Sequence, residues 1–113
     1  MNLILLGPPG TGKGTIAKFI EVRFGLGHIS TGDLLREEVA EKTETGMKIA
    51  PIMNEGRLVD DSIVIEILRK KLSKVKKNFI LDGFPRNVTQ AGMLDGPLKG
   101  LGIRIHLVLE IDS

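Results

Sequence analysis

Cysteine, tryptophan and tyrosine are all absent from this 113-residue chain. Without cysteine there can be no disulfide, no zinc–thiolate site and no cysteine nucleophile. Four phenylalanines are the whole of its Phe, Trp and Tyr content, too few for stacking successive bases of a single-stranded nucleic acid. An excess of one charge is also missing. Sixteen Lys and Arg face 14 Asp and Glu, a net charge of +2, so a pI near 9.0 is no nucleic-acid footprint. No apolar run approaches the roughly 20 residues of a membrane span. No basic segment or cleavable apolar stretch stands ahead of the first strand, and the expectation is a cytoplasmic protein that binds neither nucleic acid nor membrane. What is present, 42% hydrophobic and 27% charged residues, is the composition of a soluble globular protein. The length allows one domain at most, burying perhaps ~65% of its unfolded surface.

Glycine is plentiful at one place. Gly7-Pro8-Pro9-Gly10-Thr11-Gly12-Lys13-Gly14-Thr15 follows the apolar run Leu3-Ile4-Leu5-Leu6 and precedes a helical pattern carrying Ile16, Ala17 and Ile20. Strand, glycine-rich loop and helix together give a phosphate-binding motif its structural context. Backbone N–H groups converge on phosphate oxygens only where side chains do not intervene, and the following helix aims its unpaired N–H groups at the same anion. Lys13 supplies the cation that reaches the terminal phosphates. The usual pattern has Ser or Thr directly after the lysine, as a Mg²⁺ ligand. Here Gly14 follows and the hydroxyl arrives at Thr15, which points to Mg²⁺ held through water and nucleotide oxygens.

Along the chain, the expected elements are a helix from Lys13 to Phe24 stopped by Gly25, a short strand at His28-Ile29, and a helix capped by Thr31 that runs through Val39. A further short helix carries Met47 to Met53, with Pro51 in its first turn or kinking it. The stripe Ile63, Ile67, Leu68, Leu72 and Val75 marks a helix starting at Asp60-Asp61-Ser62. The basic residues at its end, Arg69 to Lys77, read as a solvated face matched to the helix dipole. Phe79-Ile80-Leu81 is a third strand, a weak helix starts near Thr89, and a fourth strand spans Ile103 to Ile111. Strands alternating with helices indicate an α/β fold with a parallel sheet. Gly7, Asp82 and Asp112 then lie at C-terminal strand ends, where such sheets bind ligands. His28 and His106 read as packing or surface residues. Met47, Met53 and Met93 read as fillers of apolar gaps.

Gly10-Thr11-Gly12-Lys13-Gly14-Thr15, Ser30-Thr31-Gly32-Asp33-Leu34-Leu35-Arg36 and Leu81-Asp82-Gly83-Phe84-Pro85-Arg86 resemble, in order and spacing, the adenylate kinase family of P-loop NTPases. The loop alone is also similar to that of AAA+ ATPases, but no glutamate follows Asp82 to activate water. The resemblance implies transfer of a phosphoryl group from ATP to AMP, giving two ADP, with Mg²⁺ as cofactor. It places the ATP phosphates on Gly10 to Thr15 (Gly10, Thr11, Gly12, Lys13, Gly14, Thr15). It places AMP against Thr31 and Arg36, with Arg57, Leu58 and Val59 on the adenine and ribose side. Gly83, Phe84, Pro85 and Arg86 lie along the AMP phosphate, and Gln90 reads the adenine edge. Lys13, Arg86 and Asp82 are the catalytic candidates, Asp82 orienting water around Mg²⁺. Residues 30–59 would be a mobile AMP-binding lobe inserted in an incomplete P-loop kinase core over residues 1–113.

The family continues beyond the point where this sequence stops, with an arginine-bearing lid and a fifth strand. The fold expected here is therefore a P-loop NTPase parallel sheet with flanking helices, truncated before both. Arginines of that kind are worth about 10³–10⁵ in rate, so the chain alone is expected to turn over weakly or not at all. Members of the complete family are monomers, while an apolar fourth strand left at the sheet edge invites self-association. A non-catalytic nucleotide-binding module, or half of a split protein, is the alternative.

Overall fold

The structure is a computed structural model, and it describes residues 1–7 and 12–111. Pro8 to Thr11, and with them the expected phosphate contacts of Gly10 and Thr11, lie outside the described residues, as does Asp112. The chain runs β1 (Asn2–Leu6), α1 (Lys13–Phe24), β2 (Gly27–Ser30), α2 (Thr31–Ala40), α3 (Glu44–Asn54), α4 (Asp61–Val75), β3 (Phe79–Asp82), α5 (Val88–Met93), α6 (Asp95–Gly100) and β4 (Leu107–Glu110). The strands form one sheet in the order β2-β3-β1-β4, every pair parallel.

The register explains the packing. Ile4 lies opposite Leu81 and Leu5 opposite Asp82, while Ser30 flanks Asp82 from β2. Side chains alternate between the two faces. Leu3, Leu5 and Ile80 therefore pack with Ala17, Ile20 and Leu26 on the α1 side. Ile4, Leu6, Ile29 and Leu81 face the larger cluster built by Ile49 of α3, Val64, Ile67, Leu68 and Leu72 of α4, and Leu94 and Leu98. Every β1 residue is buried, as a strand covered on both faces requires. Each such Leu or Ile contributes about 2 kcal/mol of transfer free energy.

Several local expectations are corrected. Ser30, not Thr31, caps α2, its hydroxyl accepting from Asp33 N, and Thr31 becomes the first helical residue. Pro51 lies late in α3, not in its first turn. It lacks an N–H, and α3 closes two turns of helix ahead of it, beginning from a Thr43 cap. The fourth strand is shorter than 103–111. Residues 103–106 are held instead by Asn2, whose side-chain amide donates to Arg104 O at 2.8 Å and whose N–H donates to His106 Nδ1 at 3.0 Å. Helix α6 was not expected, because Gly96, Pro97 and Gly100 read as breakers. Pro97 stands in its first turn, where a missing N–H costs nothing. Met47 and Met93 are exposed and fill no gap, whereas Met53 packs against the core. Leu107 and Val108 of β4 are exposed at 47% and 45%, on a strand that pairs only with β1 among the described residues.

Candidate functional site

The strand ends assemble the first half of the site. Gly12 caps α1 in the left-handed conformation, at φ 83°, so the chain turns from the loop straight into the helix. That turn sets Lys13 at the first helical position, on the α1 side of the sheet. His28 and Asp82 point to the same side, since they alternate with Ile29 and Leu81 on neighbouring strands. The three side chains meet. Lys13 Nζ lies 2.8 Å from Asp82 Oδ1, and His28 Nε2 lies 2.9 Å from Asp82 Oδ2. An ionised carboxylate only accepts, so His28 Nε2 carries the proton in this bond. Burial pushes the Asp82 carboxyl up, but Lys13 and then His28 more than offset it and hold the carboxyl below the ordinary carboxylate value.

His28, expected as a packing or surface residue, instead joins Lys13 and Asp82. Its sequence neighbours carry no sign of this, because Asp82 stands 54 residues away on β3. Gly14 and Thr15 sit exposed in the first turn of α1. Asp82 brings a hard oxygen donor to the loop, which fits a Mg²⁺ ion held through water. No group of three or more potential metal-ligating side chains occurs among the described residues, so a direct protein cage is not offered.

The second half is a cavity of about 240 Å³ between α2, the start of α4 and the end of β3. Six of the residues expected around AMP line it: Thr31, Leu58, Val59, Gly83, Phe84 and Arg86. Gly32, Leu35, Asp61 and Val64 line it too and were not foreseen. The other expected contacts are placed elsewhere. Arg36 borders a neighbouring cleft with Met53 and pairs with Asp33. Arg57 pairs with Glu55 at 2.7 Å in solvent. Pro85, joined to Phe84 by a cis peptide bond, is buried. Gln90 turns to the protein itself, its Oε1 accepting from Arg86 N at 2.7 Å and its Nε2 lying 3.4 Å from Asp61.

One residue of this lining stands out. Thr31 is 4% exposed, and its Oγ1 is a buried oxygen with no hydrogen-bond partner among the described residues. Buried hydroxyls are nearly always paired, and one left alone costs about 1–3 kcal/mol. A guanidinium on the same cavity wall, from Arg86, is suited to a phosphate or carboxylate. The cavity therefore combines an apolar wall and a cation, with an unpaired hydroxyl buried in its lining, next to the strand end that carries Asp82.

A family model described as adenylate kinase matches residues 5–113. The chain belongs to the adenylate kinase family. Among curated relatives, an adenylate kinase of Kosmotoga olearia is 53% identical over 115 residues, covering 100% of this chain and 54% of that protein. One of Caldicellulosiruptor bescii is 54% identical over 114 residues, covering 99% of this chain and 53% of its own. One of Archaeoglobus fulgidus is 50% identical, covering 98% of this chain and 52% of its own. The chain thus spans about half the length of the curated relatives it matches. The α/β sheet order and the strand-end position of Asp82 fit a P-loop adenylate kinase fold.

Proposed function

We propose that this chain carries the nucleotide sites of an adenylate kinase-type phosphotransferase, converting ATP and AMP to two ADP with Mg²⁺. The observation that carries the reading is the cavity lined together by Thr31, Gly83 and Arg86, with the unpaired Thr31 hydroxyl buried behind its wall. AMP would take that cavity, its phosphate against Arg86 and its base between Leu58, Val59 and Leu35. Arg36 would leave Asp33 and turn to the same phosphate. Gln90, by holding the Arg86 backbone and meeting Asp61, would fix that wall and read the adenine edge beside it. The ATP phosphates would lie at the loop between Gly7 and Thr15.

In this mechanism Lys13 exchanges its Asp82 partner for the terminal phosphates, where its charge offsets that developing in transfer. Asp82 keeps His28 as its partner and would hold water around a Mg²⁺ ion bound there. The ion supplies charge neutralisation between the phosphates when bound. Residues 30–59 act as a lobe closing on AMP through α2 and α3. A cytoplasmic location accompanies the reading, since both substrates are soluble nucleotides.

Because the chain spans about half its relatives' length, a second reading is a nucleotide-binding module without turnover of its own. Calorimetry with ATP and AMP and a coupled assay for ADP separate the two. Binding of both nucleotides with little ADP formed by the chain alone is expected. Adding the remaining half of a relative as a second polypeptide should then raise turnover. Binding of neither nucleotide at millimolar concentration sinks both readings.

A further inference from the structure

Glu38 is a buried carboxylate that the proposed mechanism does not use. It is 8% exposed, on the same face of α2 as Thr31, seven residues away. Its surroundings tie three helices together. The Thr43 hydroxyl donates to its carboxylate, and Lys70 Nζ of α4 donates to Oε1 at 3.2 Å. Thr43 in turn caps α3, its Oγ1 accepting from Gly46 N at 2.9 Å. Gly46 is pressed so closely on α2 that an added Cβ would lie 2.0 Å from the Glu38 carbonyl oxygen.

Lys71 and Lys74 flank the same cleft, with Glu37 and Glu41 opposite. The Thr43 hydroxyl does most to hold the Glu38 carboxyl below its ordinary value, against the effect of burial, and Lys70 and Lys74 add to it. The group is therefore a charge at neutral pH, and a buried charge is costly to leave without partners. Elsewhere on α2 the ion pair of Arg36 with Asp33 is exposed and stays on one helix, so it fixes nothing between elements.

We propose that Glu38 is a positioning residue for the monophosphate cavity. By joining α2 to the start of α3 and to α4, it fixes the pose in which α2 presents Thr31 and Arg36. Seven residues of helix span about 10 Å, and a helix held at its far end and by its own backbone ladder carries that constraint to the cavity. The inference rests on the reading of that cavity as the AMP site.

The test compares Glu38→Ala, Glu38→Gln and Lys70→Met with the unaltered chain, by calorimetry with AMP and with ATP and by amide exchange. Small misplacements at a binding site cost on the order of tenfold or more. Glu38→Ala should therefore weaken AMP by about that factor, with ATP affinity within roughly twofold. Exchange should quicken across residues 31–54 while the β1 and β3 amides keep their rates. Glu38→Gln keeps one of the two acceptor oxygens, for Thr43 or for Lys70, and should restore part of the AMP affinity lost in Glu38→Ala. If Glu38→Ala does not fold, Lys70→Met carries the test and should weaken AMP alone. Unchanged AMP affinity, or equal loss of both nucleotides with faster exchange everywhere, overturns the proposal. If the unaltered chain binds no AMP, the cavity reading fails, and the exchange pattern still decides whether Glu38 holds α2 to its neighbours; unaltered exchange over 31–54 overturns that too.

Discussion

The two ends of α2 bury one polar residue each, on one face, and treat them in opposite ways. At the C-terminal end Glu38 has Thr43 and Lys70 as partners. At the N-terminal end Thr31 is just as deeply buried, yet its hydroxyl has no partner among the described residues. A fully paired buried group holds a fold together, whereas an unpaired one costs stability until something fills it. The contrast sets a structural pairing and a proposed binding position at opposite ends of one ten-residue helix. It also shows why burial alone would have misled, since both residues are equally hidden.

Breaking the paired end should have the largest effect. In Gly46→Ala the new methyl meets the backbone carbonyl of Glu38, so α2 and α3 must separate. Overpacking of this sort costs typically 1–3 kcal/mol, and we expect about 3 here. Urea denaturation should report the loss, and amide exchange should place it in residues 31–54. A midpoint unchanged from the parent chain would mean that the two helices are not locked.

Acid should act next, on the paired end and on Asp82. Glu38 is held below its ordinary value of 4.5, and Asp82 below 3.8. A depressed folded value means that the charged form is favoured by folding. Its stability is complete above the unfolded value and is lost as pH falls through the folded one. Chemical denaturation should therefore be flat from neutrality to about pH 5 and decline below it as each carboxylate takes a proton. Glu38→Gln should remove part of that decline and leave the part due to Asp82 and to Asp60, which the Ser62 N–H and hydroxyl also hold below its ordinary value. An acid profile identical to the parent's would contradict the pairing.

The smallest effect on stability belongs to the unpaired end. Thr31→Val keeps the shape and deletes a hydroxyl that has nothing to bond. Without ligand the chain should be unchanged or up to about 1 kcal/mol more stable, while AMP affinity falls on the order of tenfold. Calorimetry beside thermal denaturation checks both halves. A substantial loss of stability would show that the hydroxyl is already satisfied.

Much of this was legible in the sequence, and the residues show where it stopped. The loop, Asp82 and the strands around Leu3 to Leu6 and Phe79 to Leu81 carry patterns local enough to read, and the sheet places Asp82 and both strands as expected. Thr31, Gly83 and Arg86 do converge on one cavity. Ser30 and Thr31 offer two adjacent hydroxyls for one cap, and only backbone geometry chooses between them. His28 gave no local signal, because its partner stands 54 residues away on a neighbouring strand. Glu38 sits beside the exposed Glu37 and looks the same in sequence. That one turns inward is a consequence of where α3 and α4 pack. Arg36, Arg57 and Gln90 show the converse limit: in the absence of nucleotide each pairs within the protein, so a residue type suited to phosphate or base does not by itself fix where the side chain lies.

The central claim is that a nucleoside monophosphate fills the cavity at the N-terminal end of α2. Two-dimensional amide NMR of the ¹⁵N-labelled chain titrated with AMP tests it most directly. The account predicts saturable shifts at Thr31, Gly32, Val59, Gly83 and Arg86, with the amides around Glu38 and Gly46 nearly still. Absence of shifts at millimolar AMP, or shifts centred on another surface, would contradict it.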